Sequence, residues 1–331
     1  MLIKDGLPDA ATEQPGLLRL ARSVPADRLS PLPRYVYSVR LPMAEARSPT
    51  NASDLIDSML GDAGERPYWR THLDWDEAAP APYRFSIEGR KASRDEHQAW
   101  LRGLRIRLAP LGAVDVPSAY VFEIVLSWRG DQPRLFFRAA TGSDPRFRYR
   151  LRDVGAGMNP VVAATLARLV PWPLPGAVID PTCGSGTLLF ERGILTEEAP
   201  LIGIDISGVA LDAARTNGKA IGFSNRTEFR KANAAERDAW SPCGVVLANL
   251  PFGIRTGRDD PNLAETYRAI LANAAHHLAP GGRVLLASAN RGGLDYAIAG
   301  SPLHVFARQR VQSGGLFIQV IVLGHKPSPH R

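Results

Sequence analysis

Short β-branched runs alternate with longer amphipathic stretches through the second half of the chain. Their spacing predicts strands near residues 177–180, 201–205, 226–230, 244–249, 283–288, 303–310 and 315–323. Helices are predicted near residues 186–195, 207–221, 233–239, 262–278 and 291–299, after a first apolar helix over residues 160–170. This alternation predicts an α/β fold with a mostly parallel seven-stranded sheet. The last two strands have no clear helix between them, so we expect a hairpin at one edge of the sheet.

The start of the chain carries a less regular pattern. Residues 1–30 are rich in Pro, Asp and Ser, which predicts a loosely ordered lead-in. Residues 35–41 alternate like a strand, residues 51–60 resemble a short capped helix, and residues 69–75 predict a returning strand. An Ala/Pro run over residues 78–82 then predicts a linker.

A compact α/β pattern follows the linker. Residues 83–87 predict a strand, residues 94–108 an amphipathic helix, and residues 119–127 and 134–138 two further strands. The segment offers few acids or nucleophiles for catalysis. Its arginines are interleaved with aromatic residues as far as residues 146–152, so we expect this region to grip RNA rather than to catalyse a reaction.

The positive charge of the chain is concentrated in the same region. The net charge is +7, and residues 84–152 contain fourteen Lys or Arg against seven Asp or Glu, which accounts for the whole excess. Thirteen of the fourteen cations are arginine, the side chain best suited to bidentate phosphate contacts. Nucleic acid is therefore the favoured partner, and a solvated basic face is the alternative. The candidate RNA-binding residues here are Arg90, Arg94, Arg146, Arg148 and Arg150.

Size and composition exclude several other classes of protein. A chain of 331 residues with 45% hydrophobic residues predicts two or three globular domains. No apolar run reaches membrane-spanning length and no signal peptide is evident, so we expect a cytoplasmic protein with no membrane partner. The two cysteines, Cys183 and Cys243, rule out a disulfide framework and lack metal-ligand spacing, so no metal is expected.

The first chemical signal is a glycine turn within residues 177–191. A β-branched run ends in Asp180, and the turn Gly184-Ser-Gly186 opens directly into a helical pattern. The two glycines let the backbone pass close to a ligand, and the unpaired N–H groups of the following helix point at the turn. This arrangement predicts a nucleotide site. Leu189 replaces the third glycine of the dinucleotide fingerprint, which argues against a dinucleotide.

Two polar positions follow at the ends of the next strands, where open α/β sheets bind their ligands. Asp205 ends the strand at residues 201–205, and its carboxylate can accept both hydroxyl hydrogens of a ribose. Asn233 and Ala234 follow the next strand and are placed to meet an adenine edge. A helix-capping role is the alternative for both Asp205 and Asn233.

The last candidate binding segment is the sequence Asn249-Leu-Pro-Phe252 at the end of an apolar strand. Leu250 precedes a proline and is held extended, so its carbonyl can point into the pocket beside the Asn249 side-chain oxygen. Two acceptors that hold one exocyclic amine turn the nitrogen lone pair toward an electrophilic methyl group. Phe252 offers a face on which a purine can stack. A mere strand-ending turn would explain the proline and glycine, but not the asparagine and phenylalanine together.

Two motifs carry a family resemblance. Asp180-Pro-Thr-Cys-Gly-Ser-Gly-Thr-Leu-Leu-Phe-Glu191 and Asn249-Leu-Pro-Phe-Gly-Ile-Arg255 together resemble the THUMP-containing class I RNA methyltransferases, especially the tRNA guanine-N2 enzymes. The resemblance implies a Rossmann-like class I methyltransferase domain over residues 150–325. It also implies a smaller N-terminal α+β region, with a ferredoxin-like domain over residues 31–80 and a THUMP-like RNA-binding domain over residues 81–145.

The resemblance implies S-adenosylmethionine as cofactor. Its expected place is against Asp180, Gly184 and Gly186 at the methionine part, Asp205 at the ribose, and Asn233 with Ala234 at the adenine, with Thr182 and Asn249 completing the cofactor-binding set. The implied catalytic residues, which hold and stack the guanine, are Asn249, Leu250, Pro251 and Phe252. Asn159-Pro160 stands where the family has a helix that borders the cofactor. Arg255 is a candidate for RNA phosphate, with a helix-surface arginine as the alternative.

The predicted function is methyl transfer from S-adenosylmethionine to the exocyclic N2 of a guanosine in tRNA, with the acceptor stem as a candidate region. Family members usually carry Asn-Pro-Pro-Tyr or Asp-Leu-Pro-Phe, whereas this chain combines them as Asn249-Leu-Pro-Phe252. Guanine-N2 methylation of rRNA and adenine-N6 methylation therefore stay open as alternatives. A catalytically silent RNA-binding protein is the alternative outside the enzymes.

Overall fold

The computed structural model describes residues 10–14, 17–20, 41–45, 56, 79–88, 92–129, 132–139, 145–155, 157–196, 198–252, 262–313 and 316–326. The chain divides into two compact units, Met1–Arg146 and Phe147–Arg331. Within the described ranges, no helix has both the length and the apolar character needed to cross a lipid bilayer.

The N-terminal unit contains a five-stranded mixed sheet in the order β3-β7-β6-β4-β5. The strands are β3 (Leu41–Glu45), β4 (Ala81–Glu88), β5 (Ala113–Asp115), β6 (Phe122–Arg129) and β7 (Gln132–Ala139). β4 runs parallel to β5 and β6, whereas β7 is antiparallel to β6 and β3. The three strands predicted at residues 83–87, 119–127 and 134–138 are present as β4, β6 and β7, with somewhat different ends. The short strand β5 was not predicted.

Helix α1 (Arg94–Leu108) packs on this sheet and has the predicted bounds. It begins after Ser93, whose hydroxyl accepts a hydrogen bond from the Glu96 backbone N–H at 3.1 Å. Four apolar residues on one face of the helix are buried, namely Trp100, Leu101, Leu104 and Leu108, whereas Ile106 is 69% exposed. They form one core with the strand residues Tyr83, Phe122 and Phe137.

The first residues of the chain differ from the prediction. Strands β1 (Ala10–Gln14) and β2 (Leu17–Leu20) pair antiparallel inside the segment that was predicted to be loosely ordered. The Pro-Gly pair that separates them in the sequence is a turn signal that the prediction did not use. The predicted strand at 69–75, and that at 35–41 except Leu41, lie outside the described residues. Of the predicted helix at 51–60 the structure describes Ile56, which is helical and buried.

The C-terminal unit is built on a seven-stranded sheet in the order β10-β9-β8-β11-β12-β14-β13. Its strands are β8 (Val178–Asp180), β9 (Leu201–Asp205), β10 (Thr227–Lys231), β11 (Cys243–Asn249), β12 (Leu278–Ser288), β13 (His304–Ser313) and β14 (Leu316–Gly324). The five strands β8 to β12 are parallel, and β14 and β13 form an antiparallel hairpin at one edge. The predicted sheet and its closing hairpin are confirmed.

Helices cover both faces of this sheet. They are α2 (Pro160–Leu169), α3 (Thr187–Gly193), α4 (Gly208–Ala220), α5 (Leu263–His277) and α6 (Arg291–Ala299). One core packs α5 and α6 on the sheet through Tyr267, Leu271 and Leu294. A second core on the opposite face packs α2 and α3 through Leu166 and Phe190. Central strand β11 is accordingly buried from Cys243 to Ala248, as a parallel strand covered on both faces must be.

The helix predicted at residues 233–239 is wrong. Only Arg237–Ala239 form a short 3-10 turn there. The Asn233 side chain accepts a hydrogen bond from the Ala235 backbone N–H at 3.0 Å, a local turn contact that competes with helix formation. The indole of Trp240 then donates to the Ala234 carbonyl at 2.8 Å and folds the segment back on itself.

Candidate methyltransferase site

The glycine turn between β8 and α3 forms the first wall of the site. Gly184 and Gly186 have positive φ angles of 53° and 82°, which residues with a Cβ adopt rarely. A Cβ at Gly186 would lie 2.5 Å from the ring of Phe190. Glycine is therefore required here both for the turn and for the packing of α3 beneath it.

Asp205, at the end of β9, is joined directly to this turn. Its Oδ2 accepts a hydrogen bond from the Gly184 backbone N–H, and its Oδ1 accepts one from the Ser207 backbone N–H, both at 2.9 Å. The N-cap of α4 is Ser207 and not Asp205, so the capping alternative for Asp205 is wrong. Each carboxylate oxygen keeps a second lone pair for a ligand.

Asp180, at the end of β8, is almost completely enclosed. Its side chain is 1% exposed, and Oδ1 accepts a hydrogen bond from the Thr182 backbone N–H at 3.1 Å. Burial raises the pKa of Asp180 to about 8, and the negative charge of Asp205 acts in the same direction, against the lowering effect of the Thr182 N–H. Asp205 therefore favours a positively charged ligand here, and such a ligand in turn favours the ionised form of Asp180.

The predicted adenine-binding residues, Asn233 and Ala234, lie in the turn after β10. Asn233 is exposed, whereas Ala234 is 5% exposed. The Ala234 carbonyl accepts hydrogen bonds from Trp240 Nε1 at 2.8 Å and from Asn273 Nδ2 at 3.1 Å, which fixes the backbone of this turn. Contact with an adenine stays a prediction for both residues.

Asn249 ends β11 and faces the glycine turn across the sheet edge. The Thr182 hydroxyl donates a hydrogen bond to the Asn249 backbone carbonyl at 3.2 Å, so the two sequence motifs meet. The side-chain Oδ1 of Asn249 is buried and accepts no hydrogen bond from any residue that the structure describes. Because a buried acceptor without a donor is costly, this atom indicates a ligand that donates a hydrogen bond.

Hydrogen bonds from neighbouring elements hold the backbone of the residues after Asn249. The Leu250 N–H donates to the Ala287 carbonyl at 2.9 Å, and the Tyr267 hydroxyl donates to the Pro251 carbonyl. Phe252 is half-buried and packs against the core that contains Phe190. The direction of the Leu250 carbonyl stays a prediction.

The sequence of residues 148–319 matches the family UPF0020, described as an RMKL-like methyltransferase domain. The chain belongs to this family. The C-terminal unit is thus a class I methyltransferase domain, whose methyl donor is S-adenosylmethionine.

Relatives of the methyltransferase domain are found among curated proteins and solved structures. A tRNA (guanine(6)-N2)-methyltransferase of Thermus thermophilus is 33% identical over 179 residues, which cover 53% of this chain and 52% of the relative. The enzyme of the same name from Methanocaldococcus jannaschii is 24% identical over 213 residues, 53% of this chain and 56% of the relative. The crystal structure of TrmN from Thermus thermophilus has a TM-score of 0.67 at 23% identity, covers 93% and 89% of the two chains, and shows the same fold. The chain spans about half the length of the curated relatives it matches.

Several residues of the methyltransferase site were not found from the sequence. Tyr267 is 0% exposed and shares a hydrogen bond of 2.8 Å with Ser288, and burial raises its pKa to about 12. Asn217, in α4, donates to the carbonyls of Ser185 at 3.0 Å and Arg152 at 2.7 Å, which ties the chain before α2 to the glycine turn. A polar residue on the buried face of a helix is the only sequence signal for Asn217.

The candidate RNA-binding arginines are placed differently from one another. Arg94 and Arg148 are exposed and Arg146 is half-buried. Arg150 is only 16% exposed in its side chain and forms an ion pair of 2.6 Å with Asp153, so it is less available to a partner than the sequence indicated. Two further candidates lie outside the described residues, namely Arg90 and Arg255.

Asn159 has a structural role. It is the N-cap of α2, and its side-chain oxygen accepts from the backbone N–H groups of Val161 at 2.9 Å and Val162 at 3.4 Å. Pro160 occupies the first helical position, where its missing N–H costs nothing. The sequence placed a helix here, and the structure confirms it.

Proposed function

We propose that this protein transfers a methyl group from S-adenosylmethionine to the exocyclic N2 of a guanosine in RNA, with tRNA as the substrate. The observation that carries the proposal is the buried Asn249 Oδ1, which lacks a donor among the described residues. It lies at the carboxyl edge of the sheet, next to the glycine turn. Two relatives named tRNA (guanine(6)-N2)-methyltransferase align with half of this chain, which supports guanine as the base and tRNA as the carrier.

The residues of the site fit the methyl donor. The Asp205 carboxylate matches its positive charge, and the buried Asp180 carboxyl can ionise beside that charge. The Gly184–Gly186 turn leaves room for close approach of its methionine part. When bound, the donor supplies an electrophilic methyl group on a sulfonium sulfur. Asp205 then holds the ribose hydroxyls with the lone pairs that it does not use toward Gly184 and Ser207.

The acceptor base is held by the Asn249-Leu-Pro-Phe252 segment. The Asn249 Oδ1 and the Leu250 carbonyl accept the two hydrogens of the guanine amine, and Phe252 stacks on the ring. The amine nitrogen would accept the methyl group that the bound donor supplies, in exchange for that group's bond to sulfur, and the amine would lose one proton to solvent. The amine is already neutral, so the protein contributes orientation and charge stabilisation rather than a strong base. The target base must leave its stack to reach these groups.

Two other functions remain as outcomes of the test. Adenine-N6 methylation requires the same two acceptors, because both bases carry a planar exocyclic amine. A silent RNA-binding protein would have no need for the unpaired Asn249 acceptor or for Asp205 bound to the glycine turn. The proposal also includes RNA binding by residues 81–145. It includes a cytoplasmic location, which is consistent with a tRNA substrate.

The experiment is methyl transfer from labelled S-adenosylmethionine to separate tRNA and rRNA pools, followed by nucleoside analysis. We expect label in N2-methylguanosine from the tRNA pool. Label in rRNA alone would contradict the choice of substrate, and label in N6-methyladenosine alone would overturn the base. Binding of the donor with no transfer to either pool would support the silent protein.

Asn249 provides the matched pair of variants. Asn249→Ala removes the side-chain acceptor and should abolish transfer, whereas Asn249→Asp keeps an acceptor at the same place and should retain part of the rate. Because no described residue donates to Asn249 Oδ1, the Ala variant should fold and bind the donor within a few-fold of the wild type. Full activity of Asn249→Ala would remove this residue from the proposed role.

A further inference from the structure

The closing hairpin of the methyltransferase sheet carries an arginine stacked on an aromatic ring. The Arg310 guanidinium on β13 lies 3.7 Å from the ring centroid of Phe317 on β14. Both side chains are exposed, and Phe317 retains half of its accessible surface. Phe317 is therefore an exposed apolar ring that lies directly beside a cation.

The strand register places this pair at the same end of the sheet as the catalytic segment, where the parallel strands finish. Asn249 pairs with Ala287 on β12, the next residue Ser288 pairs with Gln319 on β14, and Gln319 pairs with Arg310 on β13. Three strand spacings of about 4.8 Å each separate the two ends of this row, about 14 Å in all. Four stacked nucleotides at about 3.4 Å each span the same distance.

The charge of Arg310 is left for an external partner. Arg308 lies two residues earlier on the same face of β13, and its guanidinium is matched by the Asp295 carboxylate at 2.6 Å. Within the part of the chain that the structure describes, no carboxylate lies within ion-pair distance of Arg310. A guanidinium stacked on a ring keeps its N–H fork free for phosphate oxygens, and the ring keeps a surface on which a base can stack.

We propose that Arg310 and Phe317 form a contact surface for the RNA strand that flanks the target nucleotide, with Arg310 on a phosphate and Phe317 against a base. The inference rests on the proposed function. RNA is the partner that fits because the row of paired residues that contains Asn249 ends, about 14 Å away, at an arginine with no carboxylate partner among the described residues and an exposed aromatic ring beside it. These two side chains supply the two contacts that single-stranded nucleic acid uses.

A second arginine–aromatic pair, between β12 and β13, offers a control. Arg283 lies over the ring of Phe306 at 4.2 Å, but this second pair stands near the opposite edge of the sheet, where Arg283 pairs with Val245 at the start of β11. Arg310→Gln should weaken binding of the tRNA substrate about tenfold and lower the slope of log affinity against log salt by about one. Phe317→Leu should weaken binding about tenfold, as loss of one base stack does, with no change of slope. Arg283→Gln should change neither quantity.

Donor affinity and thermal stability are measured for all variants. These measurements distinguish a loss of RNA contact from a loss of folded protein. Unchanged RNA affinity and salt slope in Arg310→Gln, with a wild-type enzyme that methylates RNA, would overturn this inference alone. Equal losses in Arg310→Gln and Arg283→Gln would also overturn it, because they would reflect general charge rather than a local contact. A wild-type protein that methylates no RNA would instead defeat the proposed function.

Discussion

A buried carboxyl group makes the stability of the protein depend on pH. Asp180 is 1% exposed, and burial raises its pKa from 3.8 to about 8. Between these two values the unfolded chain carries Asp180 ionised, whereas the folded protein keeps it protonated and so binds one more proton. The free energy of unfolding therefore falls as the pH rises, by about 1.4 kcal/mol per pH unit, and the fall levels off above the folded-state pKa.

Asp180→Asn removes this proton but keeps the Oδ1 acceptor for the Thr182 N–H. Urea unfolding of the donor-free protein at pH 6 and pH 8 measures the effect. Over this interval the wild type should lose about 2 kcal/mol more than the variant, with the dependence on urea concentration unchanged. If both proteins show the same pH dependence, Asp180 does not carry the proton and the reasoning is refuted.

Donor binding should depend on the same group with the opposite sign. A positively charged donor favours the ionised form of Asp180, so binding releases a proton and the affinity should rise as the pH approaches 8. In Asp180→Asn this rise should be absent. Isothermal titration in two buffers of different ionisation enthalpy counts the released proton, and a count of zero for the wild type would contradict the coupling.

Two further substitutions test the supports of the site. Tyr267→Phe removes the hydrogen bond to the Pro251 carbonyl, and it should slow single-turnover methyl transfer about tenfold while donor affinity stays constant; an unchanged rate would mean that Tyr267 does not position the segment after Asn249. Gly186→Ala places a Cβ 2.5 Å from the Phe190 ring at a φ of 82°, and it should lower the free energy of unfolding by about 1–3 kcal/mol. Urea unfolding checks this, and equal stability would show that the turn relaxes without cost.

The parts of the fold that could be predicted are those with strong local patterns. Helix α1 has the predicted bounds because its cap Ser93 and its apolar positions lie in one short stretch of sequence. Asp205 and Gly184 were expected at one edge of the sheet because the ends of parallel strands converge there, and the structure joins them by a hydrogen bond. The helix predicted at residues 233–239 is absent, because the hydrogen bond of the Asn233 side chain to the Ala235 N–H outweighs the weak helical periodicity of this segment.

The parts that could not be predicted depend on contacts between distant residues. Tyr267 reaches the Pro251 carbonyl from the middle of a helix, where its spacing marks it only as a core residue. Summed charge pointed to residues 84–152, yet it cannot separate Arg310, with no carboxylate beside it among the described residues, from Arg308, which Asp295 neutralises. The register of β13 with β14 and of β14 with β12 places Arg310 in the same row of the sheet as Asn249.

The most direct measurement of the central claim uses a tRNA in which the mapped target guanosine is replaced by inosine. Inosine lacks only the 2-amino group, so the RNA keeps its shape and its contacts while losing the atom that Asn249 is proposed to hold. We predict that the inosine tRNA binds within a few-fold of the unmodified tRNA and accepts no methyl group. Methyl transfer to the inosine tRNA at an undiminished rate would show that the exocyclic amine of guanine is not the acceptor.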